Sequence, residues 1–119
     1  METKKSIFNT HLKNFISSNF SDAKQHMLDY MLFPSGKRIR PLLGMAFIGD
    51  GATQDLDMLA LVEIIHNTSL ILDDTPQMDN DSTRRDLPAF HIKYGCKTTY
   101  LFAYYLVGWI GKYLSSQRS

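Results

Sequence analysis

Leu56–Asp74 reads LDMLALVEIIHNTSLILDD, apolar at most positions and free of glycine and proline. It shows no period-2 alternation, so it reads as a helix. Because its apolar residues fall on almost every side, it is expected to be a central, buried helix starting near Asp55–Asp57. His66 and Asp73 are seven residues apart. At about 100° per residue they lie within about 20° of one face and roughly 10 Å apart along the axis. A polar stripe therefore climbs the helix and ends at a carboxylate.

Working outward, the chain stays helical. A first segment from about Ser6 to Ser17 carries a loose apolar stripe of Ile7, Leu12, Phe15 and Ile16. Ser21 and Asp22 offer an N-cap to a second helix through Met27, Leu28, Met31 and Leu32, which Pro34 stops. Pro41 suits the first turn of a third, Leu42 to Ile48, closed by the Gly49–Gly51 turn. Beyond the aspartates, a turn around Ala89–Tyr94 leads to Gly95, and a last aromatic helix spans roughly Lys97 to Leu114. No strand, repeat or linker is evident. The expected fold class is all-α, a helical bundle formed by residues 1–119 as a single domain.

The helix of Leu56–Asp74 runs into DDTPQMDNDSTRR, Asp73 to Arg85: four aspartates within nine residues and then two arginines. Carboxylates crowded without an interleaved cation need solvent or a multivalent cation. Oxygen donors without histidine or thiolate point to Mg²⁺, which keeps several waters and binds substrate phosphates. Paired guanidiniums suit a bidentate grip on phosphate. On a continuous helix Asp73 and Asp79, six apart, would diverge by about 120°. Pro76 interrupts the helix, and the bend would bring Asp79 back beside Asp73 to share a metal. A solvated helix end is the plain alternative, although negative charge there opposes the helix dipole. An EF-hand starting at Asp79 is excluded, because Arg84 and Phe90 stand where glycine and glutamate are required. His66 reads either as a hydrogen-bonded core residue or as a ligand contact.

A second cluster, GKRIRP at Gly36–Pro41, places three basic residues on a loop feeding a helix N-terminus. Arg40 precedes proline and is expected to project from the loop. A surface basic turn is the alternative. Together the two clusters would make one metal-dependent and one cationic anion site, as a reaction between two phosphorylated substrates requires.

Bulk properties narrow the class. A net charge of +1 argues against a nucleic-acid binder. The single cysteine, Cys96, excludes an internal disulfide framework, fits a reducing compartment, and reads as an inert packing residue. The N-terminal METKKSIFNTHLKN lacks the apolar run of a signal peptide. Tyr100–Gly111 is shorter than the roughly 20 residues of a membrane span. A soluble, cytoplasmic protein without a transmembrane segment is expected.

GKRIRP, HNTSLILDD and DDTPQMDNDSTRR, followed by Pro88 and His91, stand in an order and spacing that resembles the trans-isoprenyl diphosphate synthases, the farnesyl and geranylgeranyl diphosphate synthase family. The resemblance covers roughly Gly36 to Gly95. It implies the N-terminal half of the isoprenoid synthase fold and a Mg²⁺-dependent prenyltransferase. Such an enzyme condenses isopentenyl diphosphate with an allylic diphosphate through an allylic carbocation. By the same resemblance Asp73 and Asp79 would ligate Mg²⁺ with Asp74 in support, the three being catalytic. Arg84 would contact the allylic diphosphate. Gly36, Lys37, Arg40, His66 and Arg85 would hold isopentenyl diphosphate. Chain length in such enzymes depends on bulk just before the aspartates. Here Thr68 and Ser69 are small, so a geranylgeranyl or longer product is expected over farnesyl.

The family pattern is not followed throughout. Asp86-Leu87-Pro88 stands where Gly-Lys-Pro is usual, Leu72 where histidine is frequent, and LFAYYLVGW lacks the usual Gly-Asp-Ala-Leu-Leu. No second aspartate-rich motif occurs in the 119 residues. An N-terminal portion of such an enzyme is therefore expected, with two alternatives: a non-catalytic subunit, or an inactive relic. Terpene cyclases also use aspartate-rich Mg²⁺ sites, but they have no need of GKRIRP or the paired arginines. An apolar helix with few neighbours would leave surface for association, as a homo-oligomer or with a full-length homologue. The aromatics Tyr100, Phe102, Tyr104, Tyr105, Trp109 and Tyr113 read either as that surface or as ordinary core.

Overall fold

The computed structural model describes residues 3–33, 38 and 53–116. The helices are α1 (Lys4–Asn19), α2 (Asp22–Leu32), α3 (Thr53–Asp73), α4 (Phe90–Tyr94) and α5 (Cys96–Ser116). The expected helix at Leu42–Ile48, with Gly36, Lys37 and Arg40 before it, lies outside the described residues. The chain divides into two compact units, Met1–Ile64 and Ile65–Ser119, with the division inside α3.

In the first unit, Thr3 caps α1 by accepting from the Ser6 amide at 3.1 Å. The buried face of α1 is Phe8, Leu12, Phe15 and Ile16. Phe8 is fully buried, whereas Ile7, expected in the stripe, is 39% exposed. The reason is angular. Phe8, Leu12 and Phe15 follow the four-then-three spacing of one helix face, and Ile7 falls off it. Ser21 occupies the N-cap of α2 without a side-chain capping bond. Phe33, before Pro34, is extended at φ −128° and ψ 143°, as that position favours, and ends the helix. Leu28, Met31 and Leu32 of α2 and Ala60, Leu61 and Ile64 of α3 complete the core of this unit.

Arg38 is a correction to the basic-loop picture. It is 2% exposed, has φ 56°, and spends its guanidinium inside the protein. Nε donates to Asn9 Oδ1 at 2.9 Å, Nη1 to Glu63 Oε1 at 2.9 Å, and Nη2 to the Leu32 carbonyl at 2.7 Å. It therefore ties α1, the end of α2 and α3 together. Burial pulls its pKa below the ordinary arginine value, and the hydrogen bond and charge of Glu63 oppose that shift. His11 Nε2 lies 2.6 Å from Asp57 Oδ1 and makes a second α1–α3 link.

The second unit packs α5 through Thr99, Phe102, Ala103, Leu106 and Ile110. Phe90 of α4 stacks on Phe102 at 5.6 Å, with planes 6° apart. Gly95 joins the two helices at φ 88° and ψ 156°, a conformation essentially reserved for glycine. The aromatic helix is thus divided. Phe102 is core, Tyr104 is 78% exposed, and Leu101 and Val107 are exposed beside it. Cys96 is exposed rather than a packing residue.

Two expectations need correcting. α3 is not buried all round, because Met58, Val62 and Ile65 are exposed along one face. A two-stranded antiparallel hairpin is also present, pairing Thr83 with Pro88 and Arg84 with Leu87. Its turn residues, Arg85 and Asp86, both adopt positive φ, 54° and 66°. That is the arrangement of a type I′ turn, whose twist suits a tight hairpin. The usual Asn-Gly signal is absent, so the sequence pattern did not reveal it.

Candidate functional site

The aspartate-rich segment folds back onto the end of α3. The Asp79 amide donates to the Asp73 carbonyl at 2.8 Å, and the Asp81 amide to the Asp74 carbonyl at 2.9 Å. The Thr75 carbonyl receives the amides of Met78 and Asn80, both at 2.9 Å, and Asn80 takes φ 55°. Pro76 lies in this reversal, which brings the main chains of Asp73 and Asp79 into contact.

The two adjoining carboxylates, Asp73 and Asp74, have different surroundings. Asp74 is 1% exposed and receives a fork of two bonds from Arg84, Nε to Oδ2 at 2.7 Å and Nη2 to Oδ1 at 2.8 Å. Charge assistance and the fork geometry make such a bidentate pair strong and directional. The Asp74 hydrogen bond raises the Arg84 pKa above its ordinary value, opposed by burial and aided by the charges of Asp74, Asp81 and Asp73. Asp73 is half-buried and Asp79 exposed, and neither carboxylate makes a hydrogen bond or ion pair with another described residue.

Asp73 and Asp79 offer oxygen donors of the kind Mg²⁺ takes. Mg²⁺ needs one or two carboxylates and takes its other positions from water and phosphate oxygens. Among the described residues no three acidic, histidine or cysteine side chains converge into a protein-only cage. A strongly hydrated cation completed by a diphosphate fits such a site, whereas a closed zinc site does not.

Arg85 points back to α3, its Nη2 donating to Asn67 Oδ1 at 2.9 Å. Asn67 is 1% exposed and was not picked out from the sequence; the signal was an amide within an otherwise apolar helix. His66 is half-buried beside it. His91, also buried, places Nε2 2.8 Å from the Asp81 carbonyl. A carbonyl only accepts, so Nε2 carries the proton, and α4 braces the loop through it. Thr68 is buried. Ser69 is exposed, donates to the His66 carbonyl at 2.6 Å, and lines a cavity of about 460 Å³ with Leu72, Asp73, Tyr100, Ala103 and Val107. Asp73 is thus among the residues that line this largely apolar cavity. No helix among the described residues is long and apolar enough to cross a membrane.

The sequence profile of the polyprenyl synthetase family matches residues 21–119. The chain is 39% identical over 90 residues to a geranylgeranyl diphosphate synthase of Saccharolobus solfataricus, covering 73% of this chain and 26% of that one. It is 42% identical over 69 residues to the large subunit 2 of a heterodimeric geranylgeranyl pyrophosphate synthase of Arabidopsis thaliana, covering 56% of this chain and 18% of that one. The crystal structure of a Thermotoga maritima geranyltranstransferase superposes with a TM-score of 0.75 at 31% identity, over 87% of this chain and 40% of that one. The chain thus spans well under half the length of these relatives. Its helices are those of the all-α isoprenoid synthase fold, and the chain belongs to the polyprenyl synthetase family.

Proposed function

We propose that the chain carries the first metal site and the diphosphate contacts of a prenyltransferase that condenses isopentenyl diphosphate with an allylic diphosphate. The carrying observation is the folded segment Asp73–Arg85, where two carboxylates without a hydrogen bond or ion pair to another described residue adjoin two internally anchored arginines. Asp73 and Asp79 hold Mg²⁺, and Asp74 supports them by fixing Arg84. Bound Mg²⁺ stabilises the negative charge that develops on the departing diphosphate. Arg84 contacts the allylic diphosphate, while Arg85, His66, Lys37, Arg40 and the Gly36 backbone hold isopentenyl diphosphate. The largely apolar cavity beside Asp73 takes the allylic hydrocarbon.

The small side chains of Thr68 and Ser69 favour a geranylgeranyl or longer product. Ser69→Phe is expected to shorten it, as read by chromatography of the dephosphorylated products. Exposed Cys96 fits a reducing compartment, and the proposed location is the cytoplasm.

The test is condensation of radiolabelled isopentenyl diphosphate with dimethylallyl or farnesyl diphosphate, with and without Mg²⁺. Mg²⁺-dependent product that disappears in Asp73→Ala is the expected result. Soluble, folded protein giving no product overturns independent catalysis. A second reading is a non-catalytic subunit that binds substrate within a homo- or hetero-oligomer; similarity to one subunit of a heterodimeric synthase is compatible with assembly of this kind. Restored product on mixing with a full-length homologue would identify it.

A further inference from the structure

Arg84 and Arg85 are neighbours held by unlike acceptors. Arg84 is clasped by a buried carboxylate, and Arg85 by the side-chain amide of Asn67 at 2.9 Å. Asparagine is a poor helix-interior residue, and Asn67 is almost completely enclosed within α3, so local preference does not explain its place. Arg85 is itself held at φ 54° in the hairpin turn, a conformation unfavourable for a residue with a Cβ. Backbone strain and a buried acceptor thus converge on one guanidinium. The amide orients that guanidinium without adding negative charge beside it.

We infer that Asn67 is a positioning residue that fixes Arg85 for contact with a diphosphate bound without metal. The inference rests on the reading of Arg85 as an isopentenyl diphosphate contact. Asn67 touches no substrate; it acts through Arg85, anchoring one end of the guanidinium so that less side-chain freedom is lost when an anion binds.

The test is calorimetric titration of the full chain with inorganic diphosphate in the presence of EDTA. Wild type, Asn67→Ala, Arg85→Ala and the double variant are compared, with thermal unfolding followed for each. Asn67→Ala is expected to weaken affinity about tenfold when Arg85 is present and less than about twofold in the Arg85→Ala background. Should Asn67→Ala not fold, Asn67→Ser keeps an acceptor and takes its place, with a smaller loss that again vanishes without Arg85. Equal losses in both backgrounds would show a general structural effect and overturn the inference. Wild-type binding untouched by Arg85→Ala would overturn it while leaving a diphosphate site elsewhere. No binding by wild type would overturn the diphosphate reading itself and this inference with it.

Discussion

At the scale of single residues, the charged motifs divide into side chains with internal partners and side chains that face outward. Asp74 and Arg84 form a bidentate pair with the carboxylate buried. Asp74→Asn keeps the shape but removes the charge and part of the fork. It is expected to lower stability by about 1–3 kcal/mol, read from the urea midpoint. Asp73→Asn, at a carboxylate without such a pair, should shift the midpoint far less while weakening Mg²⁺-dependent diphosphate binding. Arg38 and Glu63 provide a harsher case, with side-chain exposures of 0% and 4%. Arg38→Met leaves Glu63 buried without its guanidinium and should cost about 3–5 kcal/mol. Adding Glu63→Leu is expected to recover the part of that loss due to the unpaired charge, while the Asn9 and Leu32 acceptors still lack their donor. A double variant as unstable as the single would disprove this account. Neither pairing could be read from the sequence. Arg38 sits in a basic run that resembles an anion site, and its acceptor lies 25 residues away.

At the scale of elements, the helices were legible and the hairpin was not. Helix limits followed from apolar spacing, from Phe33 before Pro34, and from Gly95. The hairpin of Thr83–Arg84 and Leu87–Pro88 has two-residue strands, too short for a period to show. Its turn carries Arg85-Asp86, where both residues must be left-handed. Asp86 occupies the position where the family pattern has glycine, and its φ of 66° supplies the physical reason for that glycine. Aspartate tolerates this region better than most residues but still resists it. Asp86→Gly is therefore expected to raise stability by roughly 0.5–1 kcal/mol, measured by thermal unfolding, with the Asn67–Arg85 bond retained. A loss of stability instead would mean that the Asp86 side chain makes a contribution larger than the strain.

At the scale of the whole molecule, a net charge near zero supplies no long-range attraction for anions, so binding of diphosphates depends on local arrangement. The proposed site implies linkage: a ligand that binds only the folded chain stabilises it by about 2.7 kcal/mol at one hundred times its dissociation constant. Mg²⁺ and diphosphate added together should raise the melting temperature more than the sum of their separate effects, and Asp73→Ala/Asp79→Ala should abolish the excess. The sequence alone determined the all-α class, the position of the aspartate-rich segment at the end of a long helix, and the family resemblance, because periodicity, turns and motifs are properties of neighbours along the chain. The tertiary structure decided which charges face outward: Asp74 is taken by Arg84, Arg38 by Glu63, and Arg85 is steered by Asn67. Those pairings join residues 10, 25 and 18 positions apart. Only chain closure brings such partners together, and burial then makes each pair hold, because a desolvated charge left without its partner is far costlier than one in water.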